Sequence, residues 1–274
     1  MRAALAIVAG IAACGRSEPR ATREPAVPAP PPVVVRDAAT AVTGSPIGPE
    51  TSQLITVIVP DWNATAAELR FWRKHADTWI ADGPAWQGVI GRTGAAWGVG
   101  LHGSGAPNAR TGPIKREGDG KSPAGVFELM GSYGYAPKPP DGAGLPYKQV
   151  DPSWKCVDDP KSTHYNTILD QRTTKPDWTS AEEMRRPDEL YTWVVDVAHN
   201  AQRTPGAGSC IFLHVWNGPG SSTVGCTAMD EPKLAALIGM LVPTASPALV
   251  LLPRAEYDAL AAAWSLPVLG TPPR

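Results

Sequence analysis

Apolar residues cluster in short runs separated by glycine, proline and polar turns, and few runs keep helical spacing. The run ITVIVP, residues 55–60, is short and β-branched and predicts the first strand of a folded domain. ELRFWRK and TWIA, two apolar-rich segments around the polar centre HAD, predict a hairpin. GVIGRTG and AAWGVGLHG predict further short strands punctuated by glycine. VFEL, after a Gly-Asp-Gly turn, reads as another strand. LYTWVVDVAHN and GSCIFLHVW, rich in β-branched and aromatic residues, predict core strands. EPKLAALIGML has helical spacing and starts just after Asp230, a fitting N-cap. Pro243 and Pro247 break the stretch that follows, which therefore reads as a core helix and then a strand, PALVLLP, not as a membrane span. RAEYDALAAAW predicts a closing helix. The expected class is mainly β, with a few short helices.

Composition sharpens this picture. Thirty prolines, 27 glycines and ten tryptophans among 274 residues fit a turn-rich β protein better than a helical bundle. A net charge of -1 with 19% charged residues argues against a nucleic-acid partner. The N-terminal run MRAALAIVAGIAACG carries Arg2 and then small apolar residues up to Cys14, too few to span a bilayer, and reads as a signal peptide over 1–13. Its end, Ile11-Ala12-Ala13-Cys14, resembles a bacterial lipobox, in which the cysteine is acylated. Ordinary cleavage nearby, with Cys14 incidental, is the alternative. The lipobox reading predicts an exported lipoprotein of the periplasm, anchored at Cys14 and directed to the outer membrane because Arg16 replaces a retention aspartate. Residues 14–50, with EPAVPAPPPVVV, read as a Pro/Ala-rich disordered tether, and 51–274 as the folded domain.

Four cysteines occur: Cys14, Cys156, Cys210 and Cys226. His214 ends an apolar run, and a Gly/Ser/Pro-rich loop can double back to bring Gly225-Cys226 near its imidazole. Histidine can then take the thiol proton, Gly225 permits the tight turn, and amides at 224–226 can form an oxyanion hole. That arrangement suits acyl transfer through a thioester. Alone, a buried cysteine is more often inert and a strand-end histidine merely hydrogen-bonded. If Cys14 is acylated and Cys156 pairs with Cys210, Cys226 is left as the free thiol; a Cys210–Cys226 bridge would disarm the site. No metal or other cofactor is expected, since zinc would have to draw on the scattered His75, His102, His164 and His199.

Three stretches resemble the L,D-transpeptidase (YkuD-domain) family: REGDGKSPAGVFEL (116–129), CVDDPKSTHYN (156–166), and a histidine followed by Thr-x-Gly-Cys-x-x-Met (223–229). The resemblance implies a β-sandwich or barrel catalytic domain that acts on peptidoglycan tetrapeptide stems for 3→3 cross-linking or wall attachment. It implies Cys226 as nucleophile, His214 as general base, Gly225 as the turn residue and Thr223 in the Ser/Thr place before it. Val224 stands where many members have a second histidine, and Ala228 where many have arginine or asparagine. Arg116, Lys121 and Arg92 are then the candidates for binding the substrate carboxylate, while Asp158 and Asp159 orient His164 or cap a turn. Stem-peptide hydrolysis by the same thiol, and a non-catalytic wall-binding domain, are the alternatives. A monomer is expected, with stem peptides and a membrane as its partners.

Overall fold

In the computed structural model, residues 44–270 are described apart from residue 108. Contacts divide the chain into units 1–34 and 35–274, and all described residues belong to the second. The leader, the lipidation call at Cys14 and most of the predicted tether lie outside the described residues.

The chain is mainly β. It begins with β1 (Gln53–Val59), the hairpin β2 (Ala66–His75) and β3 (Thr78–Ala81), and β4 (Trp86–Val89). Three short strands follow: β5 (Ala95–Trp97), β6 (Val99–Gly100) and β7 (Gly103–Ser104). Then come the long β8 (Ser122–Gly134) and β9 (Tyr147–Gln149). Next are β10 (Trp154–Val157), β11 (Thr167–Asp170) and β12 (Ala181–Glu183). The last part holds β13 (Trp193–Val197), β14 (Phe212–Val215), β15 (Thr227–Met229), α1 (Glu231–Met240), β16 (Ala248–Pro253) and α2 (Arg254–Leu260).

Eight strands close into a barrel in the order β1-β16-β8-β13-β14-β15-β4-β2, with β2 pairing back onto β1. Closure leaves these strands no open edge, which protects long apolar strands from pairing with other chains. Register places alternate side chains on common faces. Ile55 lies beside Phe71 and Leu249, and Val57 beside Leu69 and Leu251. All six belong to the main core, which α1 joins through Leu234, Leu237 and Ile238. Packing begins before residue 51: Ser45 Oγ donates to the Trp264 carbonyl at 2.6 Å, and Ile47 is in the core.

β10, β11 and β12 form a separate three-stranded sheet. It is stapled to the barrel by a disulfide between Cys156 on β10 and Cys210 just before β14. Together with Met184 and Tyr191 it covers Val194, Phe212 and Cys226 in a second apolar cluster. This cap decides the fate of the candidate site.

Candidate functional site

β14 and β15 run parallel, pairing Leu213 with Thr227 and His214 with Ala228. His214 and Cys226 therefore lie on one face, with Cys226 one step along the sheet, beside Phe212. The Phe212 N–H donates to the Cys226 sulfur at 3.3 Å, and the thiol donates to the Cys210 carbonyl at 3.4 Å. Tyr191 wedges over this face, its ring 5.2 Å from the His214 ring and 5.8 Å from that of Phe212. Its hydroxyl donates to Glu182, which is also 4.0 Å from Arg186.

The electrostatics follow from the cover. Cys226 is 3% exposed. Burial pushes its thiol far above the usual range and the nearby Glu182 charge adds to this, against weaker help from the Phe212 amide, Lys115 and Tyr191. Burial also lowers His214 to about 4, although its Nδ1–H donates to the Val215 carbonyl at 2.7 Å. Both shifts oppose proton transfer from sulfur to imidazole, so at neutral pH the thiol keeps its proton. The predicted thiolate nucleophile and general base are not formed.

One amide of the expected oxyanion hole is already engaged. The Gly225 N–H is already taken by Thr223 Oγ1 at 3.1 Å, and that hydroxyl donates to the Cys226 carbonyl at 2.6 Å. Ser122 Oγ donates to the same carbonyl at 2.9 Å. Gly225 takes φ +154° with the Lys121 carbonyl 3.2 Å from where a Cβ would stand, so its turn serves close backbone packing. The expectation of a cysteine acyltransferase, whether transpeptidase or thioester-forming hydrolase, is therefore corrected. Cys156 and Cys210 are joined to each other, and Cys226, the free cysteine among the described residues, is sealed beneath the cap.

Other candidate residues are brought together outside the cap. The Arg92 N–H donates to the Thr223 carbonyl at 2.8 Å. A side chain at Gly120 would meet Arg92 Cγ and Nε at 3.2 Å, so the guanidinium stem lies along the turn that precedes Lys121. Lys121 Nζ donates to the Thr93 carbonyl. Val224 stands between these segments, 63% exposed. Arg116 is exposed on the same turn, where its N–H donates to Asp119 at 2.8 Å. Asp159 caps a turn by accepting from the Lys161 and Thr179 amides at 2.9 and 2.8 Å, while His164 stacks edge-on against Trp178.

Sequence reasoning missed Tyr191, Glu182 and Asp196. Burial pushes Glu182 up to about 6 and Asp196 up to about 7. The one available signal was Asp196 itself, a charge inside the apolar run WVVDV. Among the described residues no group of three or more His, Cys, Asp or Glu side chains is placed to hold a metal. No helix there is long and apolar enough to cross a membrane.

No family model, curated protein or solved structure matches this chain.

Proposed function

We propose that this chain is an exported domain that binds the carboxylate-bearing peptide stems of peptidoglycan without processing them, in a fold of the L,D-transpeptidase kind. The observation that carries this reading is the contrast around one turn. The segments that carry Arg92, Lys121 and the exposed Val224 lie side by side, while the thiol of Cys226, two residues on, is enclosed and protonated. Arginine offers a planar fork of donors to a carboxylate and lysine a mobile point charge, so the pair suits a peptide terminus. Val224 supplies an apolar contact for the body of the peptide. The three stretches that resemble the L,D-transpeptidase family support a stem peptide as the ligand. The disulfide supports an oxidising compartment, which agrees with the leader-like N-terminus and a periplasmic location.

Calorimetric titration of the chain with a peptidoglycan tetrapeptide tests this. One-to-one binding is expected, weakened tenfold or more by Arg92→Ala and Lys121→Ala together, and unchanged by Cys226→Ala. No binding, or binding indifferent to both cations, would sink the proposal.

A further inference from the structure

A groove of about 600 Å³ opens between the end of β1, the strands β2 and β4, and the segment at Leu269, and none of the rim residues lines it. Glu68 and Arg70 both line this groove. They alternate along β2 with the buried Ala67 and Leu69, so they project from one side of the strand, about 7 Å apart at the backbone. The Arg70 guanidinium lies over the Trp72 ring, 5.5 Å from its centroid. Its Nε is buried and has no hydrogen-bond partner. A buried N–H on a cation is costly to leave unpaired, so a shift of this side chain that presents the guanidinium to an acceptor in the groove is favoured.

The rest of the groove defines that acceptor. Arg254 already commits its Nε to both Asp258 oxygens, at 2.9 and 2.8 Å. Glu68 is exposed and brings the opposite sign beside Arg70. A simple anion would meet the charge of Glu68, and an uncharged ligand, though its oxygens could accept from Arg70, would bring no opposite charge to either side chain. A zwitterion satisfies both. The span from ammonium to carboxylate in an extended dipeptide is about 7 Å, close to the spacing of the two side chains along the strand. A single amino acid is too short for that span. Ile58, which pairs with Glu68 across the β1–β2 ladder and so shares its face, and Leu269 offer apolar walls.

We infer that this groove binds a free apolar dipeptide, its carboxylate on Arg70, its ammonium at Glu68 and its side chains against Ile58 and Leu269. The site is separate from the cationic rim and does not rest on the stem-peptide reading.

Calorimetry with leucyl-leucine, its C-terminal amide and its N-acetyl derivative tests the assignment. The free dipeptide is expected to bind one-to-one, and each blocked form at least tenfold more weakly. Arg70→Met is expected to abolish binding with the thermal unfolding curve retained. Glu68→Gln, a change at an exposed residue, is expected to weaken the free dipeptide tenfold and leave the N-acetyl form unaffected. Arg92→Ala should bind the dipeptide like the parent chain, which separates this site from the rim. Absence of binding, equal affinity for the amide, or retained binding in folded Arg70→Met overturns the inference. So does a dimer that Arg70→Met dissociates, because the groove would then belong to a second copy.

Discussion

Asp196→Asn is a sharp test of the half-buried carboxyl on β13. Burial raises this carboxyl from 3.8 to about 7, with no opposing interaction. A raised acid pKa means that the unfolded chain ionises first. Stability is therefore lost as pH rises from about 4 to about 7, and the loss persists above that range. Each pKa unit is about 1.4 kcal/mol, so the full shift would amount to about 4 kcal/mol. The side chain is half-buried, and water screening reduces the loss to about 2 kcal/mol. The asparagine variant should be more stable than the parent by about that much at pH 8, with the difference vanishing near pH 4. Urea unfolding at half-unit steps of pH measures it. Buried His102 and His214, lowered to about 4, and His199, lowered to about 3, act the other way. They cost the fold stability as pH falls below 6.5, but they cancel in the difference between the two proteins. A difference that is flat with pH, or that grows toward acid, would refute the reasoning.

Two further substitutions probe the cap and the turn. Replacing Cys156 and Cys210 by serine releases a constraint spanning 54 residues. That should cost about 2–4 kcal/mol in denaturant unfolding and speed alkylation of Cys226 under native conditions. Gly225→Ala forces a side chain into the left-handed region, against the Lys121 carbonyl 3.2 Å away. A loss of about 1–2 kcal/mol in thermal unfolding is expected, with weaker stem-peptide binding because the turn carries Val224.

Local patterning made much of the fold legible. ELRFWRK, HAD and TWIA do form the β2–β3 hairpin, and EPKLAALIGM forms α1, although Asp230 makes no side-chain cap bond. The pattern of GSCIFLHVW predicts one strand, but Cys210 takes φ +54° and β14 begins only at Phe212. Barrel closure depends on pairings between distant segments, such as β1 with β16, and no local pattern carries them.

The site shows the same limit. Spacing showed that His214 and Cys226 can approach, and the register of β14 and β15 does put them on one face. It did not show that Tyr191, with Glu182 from the edge of the cap sheet, would be laid over them. The reactivity of a thiol is set by what surrounds it in space. Here the enclosing residues come from 156–191, far from the motif in sequence.

Intact-mass spectrometry of the disulfide-bonded chain, incubated with a peptidoglycan tetrapeptide at neutral pH, tests the central claim most directly. The account predicts an unchanged protein mass and an uncleaved peptide. A covalent acyl adduct on Cys226, or release of the terminal residue of the peptide, would contradict it.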